Sequence, residues 1–471
     1  NRDGWLESSP KENSTLTAGS VQLDWEWVPG PTQADFRNYR FGPWSPNTTE
    51  IRDESSTVFH SESPAQPWEP FILPKPRNYR LNYSIESVTG QLDNSFGSNF
   101  YQAYTGNLSV QPGLGGLSRI SITDLFEDRR FTAGFRLSGS LENSRYMLAY
   151  TDQSGRWDRT WILERQGVLQ SVDNNQTFVR THIHLLRRQW KYALDEVRSL
   201  RLQGTYRLDR NTPLSTDAYN LVKPTGFSNQ IGAQAAYVFD NTRERMMNIP
   251  EGTRYRAWIE YFADPTDAQS TFGTIGFDFR TYRRIWRDII FAQRVAADWS
   301  IGRQRLLHLV GGVDNGLSLA PTAQSPVDPN IAYAYQTRLA PLRGFNANAR
   351  NGSHMALLNS ELRVPVWSTL SRQPVESPLM QTLQLVGFLD VGSAWNGRHP
   401  YDSENTFNQI TVSQNPITVT IDNNREPVIW GTGFGLRAKV LGYWMRTDWA
   451  WGVDDHRWQD RVFTLSLHLD F

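Results

Sequence analysis

The stretch "VFTLSLHLDF", residues 462–471, sets Phe463, Leu465, Leu467, Leu469 and Phe471 against Thr464, Ser466, His468 and Asp470. Apolar and polar side chains alternate at a period of two, which an extended strand converts into two chemically different faces. One face calls for an apolar medium and the other for a wet one. The pattern recurs along the chain. In "NYRLNYSIES" Tyr79, Leu81, Tyr83 and Ile85 share one face, opposite Arg80, Asn82, Ser84 and Glu86. In "RFTAGFRLSG" Phe131, Ala133, Phe135 and Leu137 oppose Thr132, Gly134, Arg136 and Ser138. "RYRAWIEYF" places Tyr255, Ala257, Ile259 and Tyr261 outside, and "YWMRTDWAW" sets Arg446 and Asp448 against Tyr443, Met445, Trp449 and Trp451.

Such segments predict strands at 79–89, 116–126, 129–140, 145–153, 158–169, 177–190, 196–208 and 229–239. Further strands are predicted at 253–263, 271–282, 288–301, 354–367, 383–396, 429–440, 442–452 and 461–471. These make sixteen, an even number, which returns the chain to the side of the membrane where it started. The connections agree. Long segments at 90–115, 209–228, 302–353 and 397–428 alternate with tight turns such as "FEDRR", "YALDE" and "VLG", and with longer turns near 240–252 and 368–382. Membrane barrels place long loops outside and short turns on the periplasmic side. A soluble sandwich or propeller predicts compact connections instead, and leaves the charges facing inward on successive strands without a reason. The expected fold is therefore all-β, a sixteen-stranded antiparallel transmembrane barrel.

Composition is consistent with this reading. The 471 residues carry 48 basic and 48 acidic side chains, so nothing marks a nucleic-acid partner or a polybasic anchor. Mean hydropathy is −0.54, and no run approaches the ~18 apolar residues of a spanning helix. Yet 18 Trp, 18 Tyr and 23 Phe are present, enough for aromatic girdles at both interfaces of a barrel. Cysteine is absent, which excludes disulfides, thiol nucleophiles and cysteine-based metal sites. The chain starts at Asn1 and reads as a mature or trimmed segment. Residues 1–76, with "WVPGPTQ" and "PAQPWEPFILPKP", read as a Pro-rich linker or the tail of an upstream periplasmic domain, and 77–471 as the barrel.

One loop carries a motif. Leu342-Arg343-Gly344-Phe345 lies in the longest external segment, just before the strand with Asn359-Ser360-Glu361-Leu362-Arg363-Val364-Pro365. The next strand, "LQLVGFLDVGSAW", holds Phe388, Asp390 and Gly392. Alternation turns Asn359, Glu361, Arg363, Phe388, Asp390 and Gly392 inward, so Glu361 and Asp390 share one wall. Two nearby carboxylates repel each other unless a cation sits between them, and the planar, always-charged guanidinium of Arg343 fits that role. Gly344 lets the backbone turn, and Phe345 is expected beside Phe388 or another luminal aromatic. The long loop is thus expected to fold back into the lumen.

The LRGF tip, the E-L-x-x-P strand and the D-x-G strand together resemble the BamA/TamA (bacterial surface antigen) superfamily of outer-membrane insertases and translocators. The resemblance covers about residues 77–471 and is most specific over 342–396. It implies a multi-pass protein of the outer membrane of a Gram-negative bacterium. Its partners would be outer-membrane lipids, unfolded outer-membrane or secreted client proteins, and periplasmic or surface accessory proteins. It also implies a lateral seam between first and last strands, here Tyr79, Leu81 and Tyr83 against Phe463, Leu465, Leu467 and Phe471. No catalytic residue, cofactor or metal is expected. The remaining alternatives are a barrel that anchors or exports a fused upstream domain, and a loop-plugged pore. His182 and His184 form an H-x-H on one face, read as inward together with Arg180 and Arg188, whose charges would oppose a metal ion. Glu361 with Asp390 can also be drawn as an acid/base pair, but the pinning arginine accounts for both carboxylates more simply.

Overall fold

The computed structural model describes residues 81–467, apart from 94–100, 107, 109–114, 139, 173–176, 215–220, 247, 315, 317–324, 371–376 and 415–416. Sixteen strands form the wall: β1 Tyr83–Asp93, β2 Gly115–Asp124, β3 Arg129–Ser138, β4 Ser140–Asp152, β5 Trp157–Val172, β6 Thr177–Ala193, β7 Arg198–Pro213 and β8 Gly226–Asp240. They continue as β9 Ile249–Ala263, β10 Thr271–Trp286, β11 Ile289–Gly302, β12 His354–Pro365, β13 Gln384–Trp395, β14 Ile429–Val440, β15 Tyr443–Asp454 and β16 Val462–Ser466. Each pairs with the next in antiparallel register, from Tyr83↔Asp124 on β1–β2 to Thr447↔Leu465 on β15–β16. Every predicted wall strand is present. The proposed linker 1–76, and with it Tyr79 and Phe471, lies outside the described residues.

The alternation separates the two faces as expected. Leu148, Leu163, Ile259, Leu358, Leu389, Phe434 and Phe463 are exposed on the outside, forming an apolar surface suited to lipid. The opposite parity is buried and charged: Arg145 and Arg187 both pair with Glu164, and Arg207 pairs with Asp209. These ion pairs satisfy groups that the lumen shields from bulk water. Tight turns close the short-loop end. At Leu441–Gly442 both residues have positive φ (51° and 86°), the twist a two-residue hairpin turn needs.

On β6 the sequence reading has the parity reversed. Thr181, Ile183, Leu185 and Arg187 are the buried set, so His182, His184, Arg180 and Arg188 face outward. Alternation in "RTHIHLLRR" places apolar and charged residues on both faces, so burial decides the parity, and a one-residue slip exchanges the faces.

The lumen is occupied by two loops. Arg305–Val310 runs parallel to Tyr333–Ala340 and antiparallel to Arg350–Gly352, and Gln102–Ala103 from the first loop adds to the Tyr333–Ala340 edge. The first loop is tied to one side of the wall. Tyr101 Oη donates to Glu260 at 2.8 Å on β9, Arg207 on β7 donates to the Tyr101 carbonyl at 2.7 Å, and Gln170 on β5 donates to the Ala103 carbonyl at 2.9 Å. The long loop is tied to β12–β15, described below. A loop sheet held from both sides shows that the wall curls around it.

The expected pairing of first and last strands is not among the ladders of the described residues. β16 is laddered to β15 alone, with one isolated antiparallel bridge from Gly316 of the long loop to Ser466. Ser466 also pairs with Arg446, so Gly316 takes the other edge of β16. Leu81, Tyr83 and Phe463 are exposed, and Leu465 and Leu467 are half-buried.

Candidate functional site: a loop arginine clamped to the wall

Arg343 leaves the long loop three residues after Ala340 ends its strand. Its Nε and Nη2 donate to Asp390 Oδ2 and Oδ1 at 2.6 and 2.7 Å, and its backbone N–H donates to Oδ2 at 3.2 Å. Nη1 donates to Glu361 Oε1 at 2.7 Å. The guanidinium plane lies 3.7 Å from the centroid of the Phe388 ring. One cation thus satisfies two carboxylates on neighbouring strands and covers an aromatic face, which the fork geometry of arginine allows and a lysine ammonium does not. Burial opposes the charge, but Asp390 and Glu361, ahead of Asp448, outweigh it and hold the guanidinium pKa above its ordinary value.

The cluster is larger than the sequence indicated. Arg363 donates to Glu361 Oε2 at 2.8 Å, Arg437 on β14 donates to Glu361 Oε1, and Arg446 pairs with Asp448 at 3.0 Å on β15. Asp448 lies 4.0 Å from Arg343 Nη1. Four guanidiniums face three carboxylates, all buried. Alternation had turned Arg363, Arg446 and Asp448 toward the lumen without joining them to the pin. Arg437 was missed.

Glycines make the approach possible. Gly431, Gly433 and Gly435 recur every second residue on the inner face of β14, beside Gly392 on β13 and Gly452 on β15. A Cβ at Gly431 would lie 2.0 Å from the Arg343 carbonyl oxygen, and one at Gly392 2.8 Å from Leu342 Cδ1. Gly344 itself has φ +91°, and a Cβ there would meet the backbone of Trp451 and Gly452 at 2.8 Å. Phe345, expected beside Phe388 or another luminal aromatic, packs among aliphatic side chains instead. Its ring lies over Gly452, where a Cβ would come within 2.6 Å, and it joins a buried cluster with Val310, Leu342, Leu357 and Ile429. Phe388 is already covered by the guanidinium.

A second loop arginine fastens the outer rim. Arg350 donates to Asp454 and to the carbonyls of Glu426 and Pro427, with its guanidinium 4.4 Å from the Phe407 centroid. Among the described residues no group of three His, Asp or Glu side chains is arranged to hold a metal ion. His182 and His184 lie on the outer surface, away from this cluster.

The wall is similar in fold to BamA and CdiB. BamA from Haemophilus ducreyi lacking POTRA domains 1–3 matches with a TM-score of 0.49 and 11% identity over 82% of this chain and 75% of that one. CdiB from Escherichia coli matches with 0.45 and 12% over 83% and 67%, and CdiB from Acinetobacter baumannii with 0.38 and 11% over 83% and 60%. No family model and no curated protein matches the chain.

Proposed function

We propose that the chain is an outer-membrane barrel of the protein-assembly or translocation class, which handles polypeptide at the edges of β1 and β16 without covalent chemistry. The observation that carries this reading is the edge of β16. It is not laddered to β1 among the described residues, and it already accepts a segment of polypeptide, Gly316, as an antiparallel partner. A strand edge not taken up by a neighbouring wall strand is a template for strand addition. The arginine pin supports the same reading from the other side, because a lumen crossed by a loop sheet is poorly suited to free solute diffusion. On this view the pinned loop holds the interior fixed while the lipid-facing edges do the work.

The chain contains no cysteine, so an engineered pair, one on residues 79–89 and one on 461–471, forms a single unambiguous crosslink. Oxidation is expected to abolish client insertion or secretion, and reduction to restore it. Undiminished activity in the crosslinked protein would rule out the seam. The alternative, a barrel anchoring or exporting a fused upstream domain, draws on the Pro-rich residues 1–76. It predicts that the crosslink leaves delivery of that domain unchanged.

A further inference from the structure

The outer wall of β6–β9 contains a trough that the pinned loop does not touch. Its floor holds three small residues in outward positions, Gly204, Ala233 and Ala235, where Gly204 pairs with Ala233 and Leu202 with Ala235. Tyr206 and Ile231 rise above this row, and Trp190, Ile259 and Tyr261 bound it. The depression is broad and open on its outer side, with a volume of about 1020 Å³. Glycine inside a strand weakens it and often marks a place where another molecule approaches closely. A Cβ at Gly204 would meet nothing within 4 Å, so packing within the protein does not require glycine there.

A cation closes one end of the trough. Arg188 pairs across β6–β7 with Gly204. Its guanidinium lies 4.3 Å from the Trp161 ring and 5.1 Å from that of Trp190. Its Nε is buried and has no hydrogen-bond partner among the described residues. Arg159, opposite Trp190, lines the same end and faces Asp152 across β4–β5. The outward positions of β6, β7 and β8 carry no acidic residue. Tyr192 and Trp157, with ring centroids 4.8 Å apart, mark the aromatic girdle at the short-turn end. Arg188 lies four residues further in, roughly 10 Å for a tilted strand. A charge at that depth is retained where it reaches an anion at the interface.

We propose that this trough binds one anionic phospholipid of the leaflet at the short-turn end. An acyl chain would lie along Gly204, Ala233 and Ala235, and the phosphate would sit on Arg188 with Arg159 beside it. Charge complementarity, an unpartnered guanidinium donor and an apolar floor point to the same occupant. The inference rests on the membrane reading of the barrel, and the test separates the two.

The full chain is reconstituted with vesicles of phosphatidylglycerol and phosphatidylcholine, floated, and released from detergent for native mass spectrometry. Phosphatidylglycerol is expected to be retained about tenfold over phosphatidylcholine. Arg188→Gln should bring the two to parity, and Gly204→Leu, whose Cβ meets nothing within 4 Å, should remove both. Equal retention of the two lipids by the unaltered protein, or full retention by Gly204→Leu, overturns the site. A dimer sensitive to Gly204→Leu in place of bound lipid also overturns it, assigning the face to a second copy. Unaltered protein that fails to float overturns the membrane reading and the site together.

Discussion

Replacing Arg343 with alanine tests the pin most directly. The net charge of the cluster argues for a mild effect, since four guanidiniums against three carboxylates become three against three. Geometry argues otherwise. Glu361 keeps Arg363 and Arg437, but Asp390 loses the guanidinium that met both its oxygens while remaining fully buried. Removing one partner from a buried, hydrogen-bonded pair costs about 3–5 kcal/mol, and the lost contact with Phe388 adds about 1 kcal/mol. Undocking the loop readmits water to Asp390 and limits the penalty, so the lower end, about 3 kcal/mol, is the expected shift. That corresponds to roughly a hundredfold rise in the undocked population.

The assay uses the absence of native cysteine. A single cysteine at the buried position Ala347 reports undocking through its rate of maleimide labelling from the outside. Arg343→Ala should raise that rate by about two orders of magnitude. Asp390→Asn in the same background should recover part of the change, because it removes the stranded charge, and the two substitutions should be strongly non-additive. A rate within twofold of the parent would refute the pin. Additive effects would refute the Asp390 argument while leaving some other loop anchor in place.

Gly431→Ala should also release the loop, by forcing the Arg343 carbonyl away from a Cβ 2.0 Å distant, whereas Gly387→Ala, with nothing within 4 Å, should leave labelling unchanged. Tyr101→Phe removes the hydrogen bond to Glu260 and should cost about 1–2 kcal/mol of first-loop docking, read as faster proteolysis of the first loop with the Ala347 reporter unchanged. His308, buried in the long loop, has its pKa pushed down to about 3, first by burial and then by His354. The unfolded loop therefore binds the proton more readily, so this contribution to stability is present above about pH 6.5 and is lost progressively as pH falls toward 3. Protease resistance of the long loop should decline over that window, and less steeply in His308→Gln.

The wall strands were legible because each has an exposed apolar face and a buried polar one, so every strand repeats the same two-letter code. Arg343, Glu361 and Asp390 were legible for a related reason: strand parity places two carboxylates on one wall, and a loop arginine is the simplest neutraliser. Parity failed on β6 because Ile183 and Leu185 face inward while Arg188 and two histidines face out. There the solvent code is locally inverted, and no counting of alternation recovers it. Gln102–Ala103 was illegible for want of length, since a two-residue strand has no period.

The glycines are also a signal in the sequence. "GTGFG" on β14 leaves Gly431, Gly433 and Gly435 on one face at a period of two, a pattern that weakens a strand unless something occupies the space. At Gly431 that occupant is the loop backbone at Arg343, whereas Gly433 and Gly435 make room for Phe388, Asp448 and the neighbouring backbone of β15. Gly204 raises the same question on the outer face, where no described residue lies within 4 Å of the position a Cβ would take. The physical logic is shared: a strand that gives up side-chain packing at a fixed spot does so for a partner that must come close. Inside the barrel the partner is covalently attached; outside, the buried Arg188 Nε beside the trough points to an anionic partner.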